Sequence, residues 1–163
     1  MTFDEAFEKL IGHEGGFQTD PADRGNYARG VLVGTKWGIS ARTYPTIDIK
    51  NLDLEDAKRI YHRDFWSKGG IGRVPPGLVF DMFDTAVHSG VSRAVIFVQK
   101  AAGVKPDGVF GPKTAAAVAA MDPNRLFSRF NGHRLDFVNN DPIWWARFGR
   151  GVAQRIADNL MNA

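Results

Sequence analysis

Four prolines in this chain stand where helices are expected to begin. Pro76 follows Pro75, Pro112 follows Gly111, Pro123 follows Asp122, Pro142 follows Asp141, and a run of helix-compatible residues follows each pair. Proline has no backbone N–H and a fixed φ, which suits the first helical turn and disrupts any later one. The four therefore predict helices to about residue 90 and over 112–121, 123–139 and 142–161. Three more helices follow from apolar spacing. Phe3, Phe7, Leu10 and Ile11 predict one over 2–13, stopped by Gly15-Gly16. Asp53 caps one over 54–66, with Asp56 in a capping-box-like position and Ala57, Ile60, Tyr61 and Phe65 on its apolar face. Ser92 caps another that carries Val95, Phe97, Val98 and Ala101. Residues 17–40 read as loop with at most one small β-hairpin around Arg29–Val33. The sum is a mainly α fold of about seven helices, without βαβ rhythm or internal repeat.

Such helices need a core, and the composition supplies one. Of 163 residues 44% are hydrophobic, with 12 Phe and 4 Trp, so neither disulfides nor a structural metal are required. The absence of cysteine excludes thiol catalysis, Cys-ligated zinc and a disulfide framework. Four histidines (His13, His62, His88, His133) show no metal-ligand spacing, and Asp107-Gly108 lacks the further acids of a calcium loop. No glycine-rich nucleotide loop follows a strand, and no nucleic-acid motif is present. No cofactor, metal or nucleic-acid partner is expected. The first ten residues are acidic and amphipathic, unlike a signal peptide, and no apolar run reaches the ~18–20 residues of a membrane span. A soluble product made in the cytoplasm is expected. Residues 1–122 balance 15 basic against 15 acidic groups, so the net +3 resides in 123–163, where six Arg face three Asp.

The most chemically suggestive segment runs from His13 to Asp23. Glu14 is expected at the C-terminal end of the first helix, where the macrodipole disfavours an anion and keeps a carboxyl protonated. A protonated carboxyl near neutral pH is what a general acid requires. Gly15 and Gly16 leave room for a bulky substrate, and Asp20 and Asp23 follow in a loop where a carboxylate can stay ionised. One raised carboxyl beside one ordinary carboxylate is the pairing used in glycoside hydrolysis. The same residues also fit a surface Glu beside a helix cap, followed by an Asp-Pro turn.

Several motifs resemble one family. His13-Glu14-Gly15-Gly16-Phe17, Asp20-Pro21-x-Asp23 and Thr35-Lys36-Trp37-Gly38-Ile39-Ser40 resemble the glycoside hydrolase family 108 muramidases, which are phage endolysins and related bacterial enzymes. Asp84-Thr85-Ala86-Val87-His88-Ser89-Gly90 resembles a later family segment with Asn at the His88 position. Val95 to Thr114, through Gln99, Asp107-Gly108 and Gly111-Pro112, resembles the family's C-terminal peptidoglycan-binding type of region. The stretch Arg24–Gly34 departs from the family in being longer than its usual link.

The resemblance implies a lysozyme-like helical fold that cleaves the β-1,4 bond between N-acetylmuramic acid and N-acetylglucosamine. It implies Glu14 as general acid, Asp23 or Asp20 as the partner carboxylate and Thr35 as a residue that places a water. Trp37, Gly15, Gly16, His88 and Ser89 are the expected substrate-binding residues. A catalytic part over 1–91 and a helical C-terminal part over 92–163 are expected to pack as one globular unit and to act as a monomer on bacterial peptidoglycan. On the last helix Trp145, Phe148, Val152, Ile156 and Leu160 form an apolar stripe, and Arg147, Arg150 and Arg155 lie off it. Those arginines form either a solvated face or a contact for anionic envelope polymers. Release of such a protein from a host cytoplasm would need a membrane pore made by another protein. The alternatives are a lytic transglycosylase acting on the same bond, a cell-wall binding module without catalysis, and a secretion-associated bacterial muramidase.

Overall fold

The computed structural model of the chain describes residues 1–12, 16–140, 142 and 145–161, without the side chains of residues 147 and 148. Two compact units make up the chain: a first of Asp4–Arg63, and a second of Met1–Phe3 with Asp64–Ala163. The mainly α class expected from the sequence is borne out, with seven α-helices among the described residues.

The first unit contains α1 (Phe3–Ile11), apart from Phe3 itself, two hairpins and α2 (Leu54–Tyr61). Helix α1 stops earlier than its pattern suggests. Gly12 takes φ 57°, its N–H donates to the Glu8 carbonyl at 3.0 Å, and the stop expected at Gly15-Gly16 is made there instead. Helix α2 begins as expected, with the Asp53 carboxylate accepting the Asp56 N–H at 2.7 Å. Its buried Ala57, Ile60 and Tyr61 join Ala6, Phe7, Ile39 and Ile49 in a small core. Phe7 and Tyr61 meet edge to face, 5.3 Å between ring centroids.

Two hairpins occur where at most one was expected: β1 (Tyr27–Ala28) with β2 (Val31–Leu32), and β3 (Thr35–Lys36) with β4 (Ile39–Ser40). Each is closed by two residues, Arg29-Gly30 and Trp37-Gly38, with positive φ at both (50° and 84°, 52° and 72°). Positive φ at both positions is the mark of a type I′ turn, whose usual signal is Asn-Gly. Arg-Gly and Trp-Gly lack that signal. At Gly38 close approach adds to the demand, because a Cβ there would overlap the Tyr61 hydroxyl. Gly30 has no neighbour within 4 Å of the same position. Gly30→Ala is therefore expected to cost about 1 kcal/mol of backbone strain, and Gly38→Ala about 2–4 kcal/mol, because overlap is added to strain. Urea midpoints of the two variants check the ordering, and equal losses would contradict it.

The second unit is built around α3 (Val79–Ser89), which follows a short 3-10 turn at Pro76–Leu78. Every α3 residue from Val79 to Ala86 is buried except half-buried Phe80. Helices α4 (Val91–Ala102), α5 (Pro112–Ala120), α6 (Pro123–Asn140) and α7 (Arg150–Met161) complete the unit. Pro112 and Pro123 sit in the first positions of α5 and α6, as their sequence contexts require. The helix expected over 54–66 passes at His62–Ser67 into a π-turn that carries Trp66. Trp66, Phe3 and Phe83 pack edge to face, with centroids 5.3–5.9 Å apart, so Trp66 is a packing residue.

The Gln99–Thr114 motif is a loop clamp. Buried Gln99 donates through Nε2 to Asp107 Oδ1 (2.8 Å), the Val109 carbonyl (3.0 Å) and Thr114 Oγ1 (3.0 Å), while its Oε1 accepts the Gly108 N–H at 2.9 Å. One side chain thereby fixes the connection from α4 to α5. The apolar stripe expected on the last helix, over 142–161, is only partly realised among the described residues. Ile156 is fully buried, whereas Trp145 and Leu160 remain 46% and 44% exposed.

Candidate functional site

The loop after α1 is organised by a residue that no sequence pattern singles out. Asn26 is fully buried, and its Nδ2 donates to Gln18 Oε1 at 2.8 Å and to the Asp20 carbonyl at 2.9 Å. Its Oδ1 accepts the Thr35 hydroxyl at 2.7 Å, and its carbonyl accepts the N–H groups of Val33 and Gly34 at 2.8 and 2.9 Å. Gln18 and Thr35 exchange two backbone hydrogen bonds of 2.9 Å. Asn26 thus ties the Asp20–Asp23 turn to the strand that carries Thr35. Gly34 completes the packing, since a Cβ there would come within 2.7 Å of the Gln18 carbonyl.

Within this frame the two candidate aspartates differ. Asp23 caps the 3-10 turn Arg24–Asn26, its Oδ1 accepting the Gly25 N–H at 2.8 Å and its Oδ2 accepting Gln18 Nε2 at 3.3 Å. Among the described residues the Asp20 carboxylate accepts only the Ala22 N–H, at 2.9 Å through Oδ1. Both are exposed, and among the described residues Asp20 Oδ2 has no hydrogen-bond partner. Thr35 donates its proton to Asn26, so its hydroxyl retains only acceptor capacity toward a further group.

Glu14 and Gly15, with His13, lie outside the described residues. Helix α1 ends at Ile11, so the dipole invoked for Glu14 acts from a terminus three residues before it. Gly16 is exposed, and a Cβ there would meet nothing within 4 Å. Trp37 occupies the first central position of the second hairpin turn, half-buried. Its indole N–H is buried with no hydrogen-bond partner among the described residues, while its carbonyl accepts the Tyr61 hydroxyl at 3.3 Å. Burial pushes the Tyr61 phenol up to about 12, so that hydroxyl remains a donor at neutral pH.

His88 and Ser89 belong to the second unit, at the end of α3. His88 Nδ1 lies 2.9 Å from the Asp84 carbonyl and 3.2 Å from Asp84 Oδ1, and the ring is partly exposed. The Ser89 carbonyl accepts Arg93 Nη1 at 3.2 Å. Beneath them lies a buried charge network unforeseen from the sequence. Arg134 pairs with Asp84 at 2.7 Å and with Asp81 at 3.4 Å, Arg155 reaches Asp84 at 3.0 Å, and Asn159 reaches Asp81 at 3.2 Å. Burial alone would raise both carboxyls. At Asp84 the hydrogen bond to His88 and the Arg134 charge overcome it and hold the group at about 2. At Asp81 burial prevails and the carboxyl is raised despite Arg134, Asn131 and Asn159. The signal available in the sequence was two acids three apart on an otherwise apolar helix. Of the three arginines expected on the basic face, Arg155 joins this network, Arg150 is exposed, and the Arg147 side chain is outside the described atoms.

Among the described residues no group of three or more His, Cys, Asp or Glu is placed to hold a metal ion. No helix among them is long and apolar enough to cross a membrane.

Two sequence families match this chain. The model described as "Glycosyl hydrolase 108" covers residues 7–90, and that described as "Predicted Peptidoglycan domain" covers 93–141. Among solved structures, that of Brucella abortus SagA is similar, with 30% sequence identity and a TM-score of 0.81 over 96% of this chain and 90% of that one. No curated protein gives a significant match.

Proposed function

The chain belongs to glycosyl hydrolase family 108, and on that premise we propose that it cleaves the β-1,4 bond between N-acetylmuramic acid and N-acetylglucosamine by hydrolysis. Peptidoglycan is the polymer it acts on and, through its C-terminal region, binds. Glu14 protonates the glycosidic oxygen, and a loop aspartate activates the attacking water. The observation that carries this reading is the Asn26-centred loop, which fixes two exposed carboxylates a few residues beyond the Glu14-Gly15-Gly16 motif. Asp20 is favoured as the base because its exposed Oδ2 has no hydrogen-bond partner among the described residues, whereas both oxygens of Asp23 accept hydrogen bonds within the loop. Thr35 positions that water only as an acceptor, given its bond to Asn26. Water activation implies two carboxyl groups about 6.5–9.5 Å apart and an inverted product.

Substitution of the aspartates separates their roles. Asp20→Asn is expected to slow cleavage of purified sacculi by about 10²–10⁴-fold. Asp23→Asn keeps a capping oxygen and is expected to stay within about tenfold of the parent. The reverse order would move the base to Asp23.

The same reading assigns an endolysin role, with synthesis in a host cytoplasm and access to the wall through a pore formed by another protein. Expression in bacteria is then expected to cause lysis only when a pore-forming protein is co-expressed. Lysis without it would contradict this part of the proposal.

A further inference from the structure

An open pocket of about 470 Å³ on the first unit is lined by Arg24, Tyr27, Ala28, Arg29, Arg42 and Pro45. That volume lies within the range of small-ligand sites. From residue 24 to residue 47 the chain carries Arg24, Arg29, Lys36 and Arg42 and no acid. Lys36 donates to the Lys50 carbonyl at 3.1 Å, whereas the three pocket guanidiniums have no carboxylate partner among the described residues. Asp23, the neighbour in sequence, already has both oxygens engaged. Three like charges lining one pocket repel one another unless an anion enters it.

The backbone beneath these arginines is fixed. Arg29 sits at φ 50°, a left-handed position that Asn or Gly would occupy with less strain, and the β1–β2 pairing holds it there. The Arg42 N–H donates to the Gly25 carbonyl at 3.0 Å, tying the Arg42 segment to the turn that bears Arg24. A guanidinium presents a planar donor fork matched to carboxylates and phosphates. The remaining lining separates those two. The Tyr27 hydroxyl donates to the Pro21 carbonyl at 3.1 Å, so that with Ala28 and Pro45 the ring lends the wall apolar surface. Apolar wall between cationic forks suits a ligand whose carboxylates are joined by aliphatic segments.

We propose that Arg24, Arg29 and Arg42 bind the carboxylates of the acidic stem peptides that branch from the glycan strand. The proposal rests on peptidoglycan as substrate and adds a peptide contact to the glycan-cleaving site. Arg24 directly follows Asp23, so the peptide contact and the candidate aspartates share one loop.

The test uses the full chain and its Arg24→Gln/Arg29→Gln/Arg42→Gln variant, titrated by NMR with a free tetrapeptide of L-Ala, γ-linked D-Glu, meso-diaminopimelate and D-Ala. Binding is expected in the parent, to weaken by about tenfold or more in the variant, to fall as salt rises, and to be lost when the peptide carboxylates are amidated. On intact sacculi the variant is expected to raise KM by about tenfold with kcat unchanged, and on glycan stripped of peptides by an amidase to match the parent. Equal peptide binding by parent and variant, or no binding by the parent, overturns the proposal. So does binding of lipopolysaccharide phosphates, lost in the same variant, without peptide binding. If the triple variant fails to fold, Arg29→Asn, which suits the turn, is expected to weaken peptide binding several-fold; unchanged binding overturns the proposal. A parent that binds the peptide but cleaves nothing would end the hydrolase reading and leave this pocket standing.

Discussion

Glu14→Gln is expected to slow peptidoglycan cleavage by about 10²–10⁴-fold with no change in Tm. Gln keeps the size and hydrogen-bonding outline of Glu but has no acidic proton to give to the leaving oxygen. The loss should fall on kcat, because a proton transferred in the transition state adds nothing to substrate binding. The proposal gives Glu14 this role on its resemblance to the family motif, and the structure describes the loop that follows it. Asn26 holds the Asp20–Asp23 turn against the Thr35 strand, so the aspartates proposed as partner are carried on a fixed backbone. Dye release from labelled sacculi gives the rate, and thermal unfolding gives Tm. A variant within about tenfold of the parent rate would end the assignment.

Arg134→Met is expected to cost about 3–5 kcal/mol at neutral pH. The substitution leaves Asp84 and Asp81, both almost completely buried, without the guanidinium that contacts them at 2.7 and 3.4 Å. Arg155, half-exposed, cannot compensate for both. Adding Asp84→Asn to Arg134→Met should restore part of the loss, because a neutral amide is cheaper to bury than an unpaired charge. The pH dependence follows from the same groups. Asp84 is held at about 2, below its unfolded value, so its contribution is complete above about pH 4 and is lost as pH falls toward 2. That contribution is of the order of 2 kcal/mol. Asp81 is raised, so its ionisation opposes folding above about pH 4 and relief on acidification partly offsets the loss at Asp84. In Arg134→Met both carboxyls should titrate upward, narrowing the deficit relative to the parent near pH about 4. Guanidinium unfolding at pH 7 and pH 4 measures both effects, and a loss below about 1 kcal/mol at pH 7 would contradict the account.

The helices were legible because their signals are local. Pro112, Pro123 and Asp53 each act within one turn, and α5, α6 and α2 begin where those residues stand. The stop of α1 was misplaced because Gly15-Gly16 outnumbers Gly12, yet Gly12 already takes the left-handed conformation. The second hairpin was hidden because Trp37 occupies a turn position that bulky residues seldom take, and only the surrounding fold holds it there. Arg155 read as part of a basic face because the carboxylate it pairs with is 71 residues away in sequence. Asp20 and Asp23 lie exposed in a loop, as their sequence context suggests, but their difference arises from Gln18, Gly25 and Asn26, whose roles appear only once the loop closes. The Gln99–Thr114 motif was legible as a pattern, and the structure adds its physical content, a single buried amide clamping one loop.

Mass spectrometry of the soluble fragments released from purified sacculi tests the central claim most directly. Hydrolysis between N-acetylmuramic acid and N-acetylglucosamine predicts muropeptides ending in a free, borohydride-reducible N-acetylmuramic acid. Fragments one water lighter, with 1,6-anhydro ends, would show a lytic transglycosylase instead, and N-acetylglucosamine at the reducing end would place the cut at the other glycosidic bond.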